Sequence, residues 1–143
     1  MRYRLPSPFE EIEHTADVGI EVTGADPAEA YARAALAMSG LMAGGGEVEP
    51  VEERRLEAEG EDRAALLVDF CRQALDRFYV ERLLLAEVEI DSVSETAIAA
   101  RGWFGPFDPD RHAEGVDLKA VTYGGARFEP ADGGWRARLI FDI

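Results

Sequence analysis

The sequence is 143 residues long, the size of one domain, with 47% hydrophobic and 31% charged residues, a globular mix that excludes a disordered chain. Twenty-nine acidic residues against fifteen Lys and Arg give a formal net charge of -14, which repels a phosphate backbone and argues against strong direct nucleic-acid binding. The acidity either serves solubility alone or steers a basic partner protein toward this surface.

Met1–Glu10 is short, proline-punctuated and without an apolar run. No stretch approaches the roughly 20 apolar residues of a membrane helix, so no membrane association is expected and the cytoplasm is the expected location. Ile20–Thr23 reads as a short strand. Asp26-Pro27-Ala28-Glu29 is a helix start, with Asp26 as cap, Pro27 at the first helical position and Glu29 closing a capping box. Tyr31, Ala34, Ala35, Met38, Leu41 and Met42 recur at helical spacing until Gly44-Gly45-Gly46 stops the helix. Arg55–Glu59 alternates as a strand with a polar face.

Asp62 caps a second helix running to about Tyr79. In it Leu67, Phe70, Cys71, Ala74 and Phe78 form a buried face, and Cys71, the single cysteine, is core rather than reactive. Ala86, Val88 and Ile90 alternate with Glu87, Glu89 and Asp91, which predicts a half-buried strand. Thr96–Trp103 returns antiparallel after a turn at Ser92–Glu95. Gly105–Gly115 is a loop, with His112 in it. Leu118–Tyr123 reads as a strand. Gly133-Gly134 is a hairpin turn, after which Trp135, Ala137, Leu139, Phe141 and Ile143 alternate with polar residues to the last position. One domain over 1–143 is expected, α+β in class, with mostly antiparallel sheets and two helices packed on one side.

Two constellations carry chemistry. Asp142 and the terminal carboxylate of Ile143 sit side by side where a patterned strand ends. Either they are solvated, or they form a set of hard oxygens suited to a divalent cation. His14-Thr15-Ala16-Asp17 precedes the first strand. Asp17 either caps a turn or joins Asp142 as a further carboxylate if the first and last strands are neighbours. His14 serves as a packed histidine or orients that loop. Asp62 is a helix cap or a partner contact. Lys119 is a solvated strand lysine or a contact to the carboxylates or to a phosphate. Only two histidines occur, with no Ser-His or Cys-His arrangement and no phosphate-binding Gly-rich loop, which counts against a free-standing hydrolase.

His14-Thr15-Ala16-Asp17-Val18-Gly19-Ile20 resembles the signature near the start of the archease family. Lys119-Ala120-Val121-Thr122-Tyr123 is similar to that family's second signature, and Trp135 through Phe141-Asp142-Ile143 to its C-terminus. Glu61-Asp62 with Ala64-Ala65-Leu66-Leu67 is similar too. The resemblance implies an archease-like α+β fold and an accessory protein, not itself an enzyme, that promotes guanylylation and multiple turnover of the RtcB-type tRNA-splicing RNA ligase. It also implies a divalent metal ion, calcium first with magnesium or manganese as alternatives, held by Asp17, Asp142 and the terminal carboxylate of Ile143. His14, Asp62 and Lys119 would be partner or phosphate contacts. The family usually places a histidine after the tyrosine of the second signature, where Gly124 stands here. A chaperone-like binder with a structural ion is the alternative.

Overall fold

The computed structural model describes residues 1–13 and 17–143. Its elements are β1 (Arg2–Arg4), β2 (Glu10–Glu13), β3 (Asp17–Gly24), α1 (Pro27–Ala43), β4 (Glu52–Glu59), α2 (Arg63–Glu81), β5 (Leu83–Val93), β6 (Ala97–Pro106), β7 (Ala120–Ala131) and β8 (Gly134–Asp142). The strands form two antiparallel four-stranded sheets, in the orders β1-β5-β6-β4 and β2-β3-β8-β7. The α+β class expected from the sequence holds.

Both helices begin at side-chain caps. Asp26 accepts a hydrogen bond from the Glu29 backbone N–H at 2.9 Å, and Glu29 returns the contact by accepting from Ala25 N–H at 2.9 Å. Asp62 accepts from Ala65 N–H at 2.8 Å. Gly44, at φ 61°, ends α1 in the left-handed conformation that glycine adopts at no steric cost.

The helices lie between the sheets and so cover one face of each. α1 packs on β5 of the first sheet and on β3 and β8 of the second, while α2 packs on β4 and β7. This explains the composition of α1, which is alanine-rich and buried nearly all round: Ala30, Ala34, Ala35 and Ala37 are fully buried. Larger side chains there would push the two sheets apart. Buried Ser39 ties α1 to the first sheet by donating to the Leu85 carbonyl at 2.6 Å.

Three details differ from the sequence reading. Met1–Glu13 contributes two short strands, one to each sheet, where none was expected. The strand placed at Leu118–Tyr123 runs from Ala120 to Ala131, crossing an irregularity between Thr122 and Arg127. The β7–β8 turn is Asp132-Gly133, one residue earlier than expected. Both turn residues have positive φ (49° and 78°), as a two-residue hairpin loop requires.

Candidate metal centre at the end of the second sheet

β8 is an inner strand, hydrogen-bonded to β3 on one side and β7 on the other. Val18, Ile20 and Val22 of β3 point into the core opposite Phe141, Leu139 and Ala137 of β8. The alternating residues therefore share the opposite, outer face. At the end of that face Asp17 stands directly across from Asp142. Residues so opposed carry their Cβ atoms about 5 Å apart. Asp17 is half-buried and Asp142 exposed, and among the described residues neither takes part in an ion pair.

Ile143 follows one residue beyond β8 with its side chain 47% exposed. The backbone before it is what fixes its position: the Asp142 carbonyl accepts a hydrogen bond from Lys119 N–H at 2.8 Å. Lys119 is exposed, and it lies just before β7 rather than within a strand.

Two residues of α2 that the sequence reading passed over hold this end of the sheet. Arg72 donates from Nε and Nη2 to the Val121 carbonyl at 3.1 and 2.9 Å, and Tyr79 donates from its hydroxyl to the Leu118 carbonyl. Together they tie Val121 of β7, and Leu118 two residues before that strand, to α2. Their spacing of seven, which puts both on one helix face, was the available signal. The Arg72 guanidinium also lies 4.4 Å from the ring centre of Tyr123, which is 57% exposed and precedes Gly124.

The remaining expected site residues part company. Asp62 uses its carboxylate to cap α2. Its neighbour Arg63 lies 4.8 Å from the Trp135 ring, and Trp135 opposes Gly24 at the far end of β3 and β8. Seven residues of strand, roughly 23 Å, separate Trp135 from Asp142. His14, Thr15 and Ala16 lie outside the described residues. Among the described residues, no group of three or more His, Cys, Asp or Glu side chains is placed to hold a metal ion. Asp17 and Asp142 together offer two opposed side-chain carboxylates, hard oxygen donors of the kind that divalent cations take.

His112, read as a plain loop residue, is 3% exposed. Its Nδ1 accepts from Asp108 N–H at 2.9 Å, so Nε2 carries the proton and donates to the Glu47 carbonyl at 2.7 Å. Cys71 is fully buried, and burial pushes its thiol well above the usual range, as expected of a core cysteine.

Two antiparallel four-stranded sheets enclosing two helices define the class as α+β. The sequence profile of the Archease protein family matches residues 9–143. A protein archease of Methanopyrus kandleri is 36% identical over 141 residues, 95% of this chain and 99% of that protein. The Pyrococcus abyssi archease is 33% identical, covering 94% of this chain and 98% of its own. The solution structure of Methanobacterium thermoautotrophicum protein 1598 superposes with a TM-score of 0.76 at 31% identity, covering 94% of this chain and 98% of that one. A Thermotoga maritima crystal structure, described as an archease and possible chaperone, shares the fold at a TM-score of 0.59 and 17% identity, covering 94% and 96%. The chain belongs to the archease family. No helix among its described residues is long and apolar enough to cross a membrane.

Proposed function

We propose that this chain is an accessory protein of an RtcB-type RNA ligase and that it holds a divalent cation, calcium first, between Asp17, Asp142 and the carboxylate of Ile143. The observation that carries the reading is the direct opposition of Asp17 and Asp142 on neighbouring strands. Two like charges so placed repel, and a cation relieves the repulsion. Lys119 N–H holds the Asp142 backbone, while Arg72 and Tyr79 hold the β7 segment on either side of Lys119. The carboxylates thus sit on a braced strand end rather than on a loose tail.

A bound divalent ion supplies positive charge against phosphate oxygens in phosphoryl-type transfer. The chain's own part is to present oxygen ligands at an acidic tip. With a net charge of -14 it is steered toward a basic, RNA-binding groove and away from RNA itself.

The test is multiple-turnover RNA ligation with ligase limiting, with and without this protein, and with Asp142→Asn beside the wild type. The reading expects wild type to raise the number of joins per ligase molecule and a folded Asp142→Asn to fail. A wild type that leaves turnover unchanged overturns the accessory role. An Asp142→Asn variant that unfolds favours a chaperone-like binder with a structural ion.

A further inference from the structure

A groove of about 670 Å³ lies between the β1–β2 connection and the loop that follows α1, and it shares no residue with the carboxylate pair. Leu5, Pro6 and Phe9 form one wall, Val48 and Pro50 the other, and Gly40 of α1 is part of the lining. Its volume falls within the roughly 300–1,000 Å³ of ligand-sized clefts, and its lining is apolar in the way such clefts are. Glu47 and Glu49 stand on the same wall as Val48 and Pro50. Both are exposed, and the nearest cation recorded for Glu49 is Arg111, at a loose 3.9 Å.

Both walls are tied to the body of the protein. Leu5 N–H donates to the Ala86 carbonyl at 3.1 Å, which fixes the first wall on β5. Gly46 N–H donates to Ala43 and Val51 N–H to Phe104, each at 3.0 Å, which fix the two ends of the second. Between those ends the Glu47 carbonyl accepts from buried His112 at 2.7 Å. The groove is therefore preformed, and the ordering cost that a ligand would otherwise meet is reduced. His112, which the carboxylate site does not use, gains a purpose as the brace of this wall.

We infer that this groove binds a short extended peptide segment of a partner protein, with apolar side chains entering between Phe9 and Val48 and a flanking Lys or Arg meeting Glu47 and Glu49. Charge complementarity selects this occupant. The apolar lining takes aliphatic or proline side chains, the two carboxylates on one wall reject acidic flanks, and the -14 net charge draws basic segments in from a distance.

Gly40 supplies a clean blocking variant. A Cβ built there meets only Leu5 Cδ2 and Phe9 Cε1, both at 3.7 Å, so a side chain enters the groove without a backbone clash. Replacing a glycine inside a helix also favours the helix.

The test uses amide NMR of the full chain with two synthetic hexapeptide pools. Each pool has a Leu, Ile, Val or Pro centre, flanked in one pool by Lys and Arg and in the other by Asp and Glu. The expected result is saturable shifts at Gly40, Gly45, Val48 and Glu49 with the basic-flanked pool. The acidic-flanked pool should cause none. Gly40→Leu should abolish the shifts while keeping a folded spectrum, and Glu47→Gln with Glu49→Gln should weaken binding about tenfold. The inference is overturned by the absence of shifts up to millimolar peptide, by equal response to both pools, or by unchanged binding in Gly40→Leu.

Discussion

Asp17 and Asp142 face each other across the β3–β8 pair, the two carboxyl side chains of one cross-strand rung. Their neighbours Val18 and Phe141 are buried on the opposite face, so the rung cannot flip without exposing the core. Removing one charge should therefore stabilise the ion-free protein while abolishing its response to calcium. In EDTA, Asp142→Asn is expected to melt at or slightly above wild type, since like charges directly opposite destabilise by a few tenths of a kcal/mol. With calcium at about a hundred times its Kd, wild type should gain about 2.7 kcal/mol and the variant far less. Thermal melts in EDTA and in calcium check both arms.

Gly19 lies next to this rung but one. A Cβ there would come within 2.7 Å of both the Leu139 carbonyl oxygen and Ile140 Cδ1. Because one of these atoms is backbone, β3 and β8 must separate to accept it. Gly19→Ala should cost about 2 kcal/mol and weaken the calcium response without touching any carboxylate. Urea unfolding and the same calcium melts read the two effects.

Positions on α1 should split sharply in what they tolerate. Ala37 is fully buried in the helix layer, and Ala37→Leu should cost about 3 kcal/mol or prevent folding. Gly40→Leu, three residues on, should fold as well as wild type or better. Chemical denaturation of the pair measures the difference.

His112→Ala should destabilise by about 3 kcal/mol, because it leaves the Asp108 N–H and the Glu47 carbonyl without their partner and opens a cavity. Hydrogen exchange should locate the loosening at Glu47–Pro50 and in the loop around His112.

Acid sensitivity has identifiable sources. The Arg101 guanidinium holds the Asp91 carboxyl below its ordinary value, and Arg54 does the same for Glu81. Backbone N–H groups of Asp110 and Arg111 lower Asp108. Each folded-state pKa is depressed, so each contributes stability that is present above the ordinary carboxylate range and is lost as pH falls through the folded value. Asp91→Asn should be less stable than wild type at pH 7 and approach it below about pH 4, the range where unperturbed carboxylates titrate. Denaturation at several pH values tests the convergence.

Both helices were legible because their caps are local: Asp26 and Asp62 each sit three residues before the N–H they accept. The strand at Ala86–Ile90 was legible from strict alternation. β1 and β2 were not, since strands of three and four residues are too short to show a pattern and are defined by their pairing, Tyr3 with Val88 far along the chain and Ile12 with Gly19 seven residues on. The strand read from the sequence ends at Tyr123, yet β7 resumes pairing at Arg127 because β8 lies alongside as a template. The Asp17–Asp142 rung was conditional on β3 and β8 being neighbours, and only the sheet order supplies that. Buried His112 had no local sign at all, as the residues before it, Asp108 to Arg111, look like a solvated loop. Its partner Glu47 is sixty-five residues away.

The most direct measurement is the rate of ligase guanylylation under limiting ligase with calcium present, comparing no addition, wild type, Asp142→Asn and a chain extended by one residue beyond Ile143. The account predicts acceleration by wild type alone, with both altered proteins folded and silent. Acceleration by all three proteins would contradict it, because the effect would then not depend on the opposed carboxylates or on the chain end.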